Sequence, residues 1–374
     1  MIGLRIVTNK NNLKTSLERI DIMSPGRTCL FGDHQDYLGL PVIACAINRY
    51  IFLSAVENST SLLRIQLPDI NNELIIDIHK KNILLDKRDY FTSSINVLNK
   101  YGCIPNKGYN VIIKGDLPIN AGVSSSSALI VAWIRFLLEA FGSTHKITAE
   151  LIGKIAYEAE VLEHGEPGGF MDQYTISLGN VVYLETEENV SFTCLKNQIH
   201  GLIIGESGEK KETLGTLGDR KQKALKAIEY VKSYNPDFIL KSATLEVFDE
   251  CQNHIPIELS PYFYAALKNH DITLKAFAEL KKDKLNMSYL GALMNQHHFV
   301  LKDILKITVP LIDVMIDKAL KAGAFGAKIV GSGGGGSIVA ISPKGKENEI
   351  ISALKKAGAR AAYKVEVDRG VRVI

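Results

Sequence analysis

The chain has 374 residues, 46% hydrophobic and 23% charged, with a formal net charge of +3. That length allows two domains of ordinary size, and the small net charge gives no electrostatic case for nucleic acid as a partner. Five scattered cysteines (Cys29, Cys45, Cys103, Cys194, Cys251) lack metal-ligand or redox spacing, the opening Met1-Ile2-Gly3-Leu4-Arg5 lacks a signal-peptide core, and no apolar run is long enough to span a bilayer, so a cytoplasmic chain with reduced thiols and no membrane partner is expected.

In chain order, a short apolar strand is expected to end at Gly32. Residues 49–56, 62–67, 74–79 and 109–114 are β-rich runs. Residues 124–141 predict a helix buried on nearly every face, because Ala128, Leu129, Val131, Ala132, Ile134, Leu137 and Leu138 leave few polar positions, and Gly142 is its stop. Residues 148–164 predict a second helix with Thr148 as N-cap and Leu151, Ile155, Ala159 and Leu162 on one stripe. Glycines at 165–169 break it, and residues 181–184 read as a strand. The charged stretch 205–220 is the expected mobile segment, and helix follows to about 322. Strands at 327–330 and 338–341 flank a glycine loop, and a helix at 347–357 and a strand at 362–367 follow. The boundary falls near residues 195–205, giving an N-terminal domain 1–200 and a C-terminal domain 201–374.

Four stretches carry chemistry. Gly122-Val123-Ser124-Ser125-Ser126-Ser127 runs straight into the buried helix. A small-residue loop at a helix N-terminus offers free N–H groups and the positive end of the dipole, which suits phosphate. No Gly-Lys-Ser/Thr closes it, so it is not a Walker A loop, and a tightly packed helix start is the plainer alternative. Asp33, His34 and Asp36 sit in a turn after the first strand; these residue types serve as turn formers, as partners for vicinal hydroxyls, or as metal ligands, though Asp-His-x-Asp has no clear tetrahedral spacing. Glu160 and Asp172 flank a glycine-rich break, where they could face a ligand or simply solvent. The loop Gly331-Ser332-Gly333-Gly334-Gly335-Gly336-Ser337 costs entropy to order, so either backbone passes close to a ligand there or a flexible tip joins two strands.

Taken together and in this order, the pieces resemble the GHMP kinases. Pro25-Gly26-Arg27 and Gly32-Asp33-His34-Gln35-Asp36-Tyr37 are similar to the galactokinase substrate segment, and Gly122-Val123-Ser124-Ser125-Ser126 to the family's second motif. Gly165-x-Pro167-x-Gly169-x-Met171-Asp172-Gln173 resembles the galactokinase active-site segment. Residues 291–298 resemble its Leu-Met-x-x-Ser-His region, with His297 in place of the serine. Residues 328–336 resemble the third GHMP motif.

The resemblance implies an α/β (α+β) fold in two parts, an N-terminal domain of the ribosomal-protein-S5 type and a ferredoxin-like C-terminal domain, with the active site in the cleft between them. It also implies a kinase that uses ATP and Mg²⁺ and phosphorylates a sugar, as galactokinase does, at the anomeric hydroxyl. A mevalonate-kinase-like enzyme and a non-catalytic sugar and ATP sensor are the alternatives, and the assembly would be a monomer or homodimer. In that scheme Gly122, Val123, Ser124, Ser125, Ser126 and Ser127 hold the ATP phosphates. Ser126 and Glu160 ligate Mg²⁺. Asp172 is the catalytic base with Arg27 beside it, and Asp33, His34, Asp36, Gly169 and Asp172 bind the sugar. Gly331, Gly333, Gly334 and Gly335 close over the phosphates or the acceptor. The chain departs from galactokinases on the sugar side: Asp33 replaces Glu, Gln35 replaces Thr, Leu38-Gly39-Leu40 replaces Asn-Gly-Gly, and residues 215–220 replace a tyrosine-bearing segment. These changes imply an altered pocket rim, so the resemblance gives a sugar as the acceptor and leaves open which sugar, galactose included.

Overall fold

The computed structural model describes residues 19–80, 86–119, 121–186, 190–195, 199–209 and 213–374, excluding the side chains of residues 213–216. Two long antiparallel strands, β1 (Arg19–Phe31) and β2 (Val42–Asn58), form its spine. The turn between them carries Asp33, His34 and Asp36. The hairpin strands β3 (Leu62–Leu67) and β4 (Asn72–Asp77) follow, then helix α1 (Tyr90–Lys100) and strand β5 (Gly108–Gly115). Strand β5 pairs antiparallel with the second half of β2 and parallel with β3.

Helix α2 (Ser125–Phe141) is packed in on nearly every side, with Trp133, Ile134 and Phe136 fully buried, as its sequence requires. Helix α3 (Ala149–Tyr157) starts at Thr148, whose hydroxyl accepts the Leu151 N–H at 3.1 Å. The chain then continues as a π-helical stretch, Glu158–Leu162, before helix α4 (Met171–Leu178) and the strands β6 (Val181–Glu185) and β7 (Ser191–Leu195). Strand β6 attaches to the first half of β2, and β7 to β6.

The second sheet is wholly antiparallel. It contains β8 (Leu202–Glu206), β9 (Gly326–Val330), β10 (Ser337–Ile341) and β11 (Ala361–Val365), in the order β11-β8-β10-β9. Between β8 and β9 the described residues include the α-helices α5 (Thr213–Tyr234), α6 (Glu246–Cys251), α7 (Ser260–Leu280), α8 (Met287–Phe299) and α9 (Pro310–Lys321); α10 (Glu347–Lys356) precedes β11. The last strand, β12 (Arg372–Val373), returns to the first sheet and pairs with β1. No helix among the described residues is long and apolar enough to cross a membrane.

The burial of β1 places the site. The second half of β1 is buried on both faces, because α2 and α4 pack against it and so do α7, α8 and β9; strands covered on both sides tolerate such continuous burial. The turn after β1 therefore opens where the two sheets meet.

Several expectations change. Residues 205–220 are largely ordered structure, the end of β8 and the start of α5, with 210–212 outside the described residues. The strand ending near Gly32 is thirteen residues long rather than short. Helices α1 and α4 carried no expectation from the sequence: α1 opens on the N-cap Asp89, which accepts the Thr92 N–H, and α4 is too short to display a helical stripe.

Candidate active site

Arg27 comes from the buried half of β1 and is only 4% exposed. A buried guanidinium needs acceptors for its donors. Its Nε and Nη2 donate to the two carboxylate oxygens of Asp172, each at 2.7 Å, and Nη1 donates to the Gly122 carbonyl at 2.6 Å. The bidentate fork fixes Asp172, on the first turn of α4, against the serine loop. Burial opposes the Arg27 charge, but the Asp172 carboxylate outweighs that and raises its pKa further, so the pair is ionic.

Ser124 adopts a left-handed backbone (φ 59) at the N-cap of α2, and its hydroxyl goes to the Asp172 carboxylate instead of capping the helix. The first turn of α2 thus keeps its N–H groups pointing out of the helix end. Ser124, Ser125, Ser126 and Ser127 all line one cavity, together with Gly122. Val123 is fully buried behind them, and its carbonyl accepts the Arg27 N–H at 3.1 Å.

Glu160 lies on the π-helical stretch, a distortion that recurs at functional sites. Its carboxylate accepts from Ser126 Oγ at 3.0 Å and from Gln173 Nε2 at 2.6 Å. Burial, aided by the nearby Asp172 charge and opposed by the hydrogen bonds, pushes its pKa up to about 7. A buried carboxyl beside a serine hydroxyl offers hard oxygens, and a divalent cation there would favour its charged form. Among the described residues no group of three or more His, Cys, Asp or Glu side chains is set to hold a metal.

Asp36 faces the same cavity. Its Oδ1 accepts the Tyr37 N–H at 3.0 Å, and burial and the neighbouring Asp172 raise its pKa to about 6. A Cβ at position 169 would fall 2.1 Å from Asp36 Oδ2, so glycine there lets the carboxylate through. His34, with a left-handed backbone (φ 64), meets the Tyr37 hydroxyl through Nδ1 at 3.1 Å.

Asp33 also lines the cavity, and both of its carboxylate oxygens have partners within the protein. Its Oδ2 receives Lys328 Nζ at 2.6 Å and its Oδ1 receives the Gly331 N–H at 2.9 Å. Burial would raise its pKa, yet Lys328 holds it well below the carboxylate range. The expected rim positions also move. Gln35 is fully buried and donates to the Pro41 carbonyl and to Thr273 Oγ1 on α7. Leu38 and Leu40 pack in a core with α5 and α7. Apolar side chains and an amide with internal partners gain nothing from the cavity wall. His297 is buried behind Asp33, stacked on Phe31, and kept neutral by burial and the Lys328 charge, which lower its pKa to about 3.

Among the described residues after β8, Gly331 and Ser332 of the glycine loop and Leu217 of α5 reach the cavity. Gly333 and Gly335 instead press on the backbone of Ile307 and Glu209. The cavity measures about 1040 Å³, and at the end built by the β3–β4 hairpin and the start of α1 its lining mixes Leu67, Ile70, Leu74, Ile76 and Phe91 with Asp69, Asn72, Asp77 and Asp89. Arg88, ion-paired with Glu166 at 2.9 Å, lines the same cavity. Sequence reasoning missed this end. Its one signal was the alternation of apolar residues through the β3–β4 hairpin.

Models of two domains match in the same order as the geometry: the GHMP kinases N terminal domain over residues 89–180 and the GHMP kinases C terminal over residues 274–360. The chain belongs to the GHMP kinase superfamily. This GHMP kinase also matches the galactokinase galactose-binding signature over residues 17–56. It is 28% identical to a galactokinase of Thermotoga neapolitana, over 92% of this chain and 95% of that protein. To a mevalonate kinase of Thermococcus sibiricus it is 26% identical, over 95% and 98%. Its two-domain fold is shared with the galactose complex of Lactococcus lactis galactokinase, at a TM-score of 0.83, 21% identity and 96% of both chains.

Proposed function

We propose that this GHMP kinase transfers the γ-phosphoryl group of ATP to a sugar, at the anomeric hydroxyl, in the manner of galactokinase. One observation carries the reading: the Arg27–Asp172 pair stands at the uncapped start of α2, in one cavity with Asp36 and Glu160. Phosphoryl transfer needs little covalent help from the protein and much positioning and charge. The α2 N–H groups and the hydroxyls of Ser125, Ser126 and Ser127 cradle the phosphates. Ser126 and Glu160 would hold Mg²⁺, which neutralises phosphate charge when bound. Asp172 accepts the acceptor hydroxyl proton as the new O–P bond forms and the bond to ADP breaks. Arg27 keeps that carboxylate ionised and offsets charge on the transferred group. Asp36 and His34, with Gly169 giving clearance, orient the sugar, and the β3–β4 end of the cavity takes the base. Residues 1–200 and 201–374 act as the two lobes that meet around the substrates.

The test is coupled ADP release across a panel of hexoses, with mevalonate included and the product identified by NMR. Sugar-dependent ADP with phosphate on C1 supports the reading. ADP release with mevalonate alone would move the protein toward the activity named for its Thermococcus relative. Tight sugar binding with no ADP would make it a sensor.

A further inference from the structure

Asp33 follows β1 and Lys328 sits on β9, so their contact joins the two sheets. Lys328 is 0% and Asp33 1% exposed. Drying an ion pair this far costs several kcal/mol per charge, roughly, and is recovered only with good geometry and satisfied neighbours. Here the geometry is good: Lys328 Nζ also donates to the Ile329 carbonyl at 2.9 Å, and the second Asp33 oxygen takes the Gly331 N–H. Such a pair is a poor source of stability and an effective way to set one register.

What it sets is the entry to the glycine loop. Gly331, with φ 84, is tied at its N–H, and the next residue, Ser332, lines the cavity. Ser332 Oγ is buried and makes no hydrogen bond with the described residues. The rest of the loop is braced separately, by Gly334 N–H on the Ile307 carbonyl at 2.7 Å and Gly336 N–H on the Glu209 carbonyl at 3.4 Å. We propose that Asp33 and Lys328 form a latch between the two sheets that holds the Gly331–Ser332 turn against the reacting groups, so that both are positioning residues and Asp33 is not a sugar ligand. The kinetic side of this proposal rests on the kinase reading; its structural side does not.

Two double variants isolate the latch. Asp33→Leu with Lys328→Met and Asp33→Asn with Lys328→Met each remove both charges, so neither leaves a buried lone ion. They are close in volume and differ in whether residue 33 offers an oxygen to the Gly331 N–H. In the leucine variant, amide exchange at residues 331–332 accelerates at least about tenfold while Gly334 stays protected, and kcat falls about ten- to a hundredfold with the acceptor KM nearly constant. The asparagine variant recovers the part of both losses owed to the Gly331 N–H and keeps the part owed to Lys328. Equal exchange and equal kcat in the two variants would overturn the latch. So would a rise in acceptor KM at constant kcat in the leucine variant, which marks Asp33 as a sugar ligand. If the leucine variant does not fold, Asp33→Ser with Lys328→Met, whose hydroxyl is too short for Gly331, takes its place. A wild-type protein that phosphorylates no acceptor would sink the kinase reading, and the exchange comparison would still decide the latch.

Discussion

Asp172 and Asp36 are neighbouring carboxylates given different chemistry by their partners. Asp172 has a bidentate arginine and a serine hydroxyl, while Asp36 has one backbone N–H and a like charge nearby. Replacing Asp172 with Asn should lower kcat by roughly 10²–10⁴-fold, the usual contribution of a positioned base, and leave nucleotide affinity intact. Single-turnover kinetics beside ATP titration check this, and an undiminished rate removes Asp172 from the mechanism. For Asp36 the sign runs the other way from a salt-bridged acid. Its pKa rises from 3.8 to about 6, so the folded state binds the extra proton and loses stability as pH climbs through that window. Asp36→Asn should therefore melt higher than wild type above pH 6, show no gain below pH 4, and bind the acceptor more weakly. Melting curves across pH, paired with acceptor KM, test both halves; a variant less stable at neutral pH contradicts the burial argument.

Among the elements, the break between the π-helical stretch and α4 does the most for the site. It brings Glu160, Gly169 and Asp172 to one wall through residues that form no regular structure of their own. Gly169 is the tightest point, and its substitution by Ala would drive a methyl into Asp36. Acceptor KM should rise about tenfold through a displaced Asp36, with ATP affinity unchanged. Calorimetric titration of each substrate separates the two, and a loss confined to ATP would place Asp36 on the other substrate. The π-helical stretch was invisible in the sequence, because residues 148–164 keep an ordinary helical stripe throughout. The extra backbone residue shows only in how Glu160 reaches Ser126.

At the level of the molecule, the C-terminal tail crosses back from the second sheet to the first. Val367 bridges to Ile47, the Asp368 N–H donates to the Ala46 carbonyl at 3.0 Å, and its carboxylate takes the Tyr50 hydroxyl at 2.8 Å. The edge of β1 is then covered by β12. Removing residues 366–374 should lower Tm by at least about 5 °C, as expected when a sheet edge and a buried network are lost together. Thermal unfolding with and without ATP measures it; an unchanged Tm would make the tail ornamental to the first sheet.

Local chemistry made much of this legible. The serine loop before an apolar helix, the Thr148 cap and the two strands around the glycine loop each follow from short-range pattern, and all stand where the sequence places them. The family resemblance was legible for the same reason, since its motifs are contiguous. What stayed hidden depends on partners far away in the chain. Asp33 reads as a turn acid or a sugar ligand until Lys328, 295 residues later, takes its carboxylate. Gln35 and Leu38 read as pocket rim until α5 and α7 close over them. A side chain's type fixes which interactions it can make, but burial and the approach of distant strands decide which one it does make.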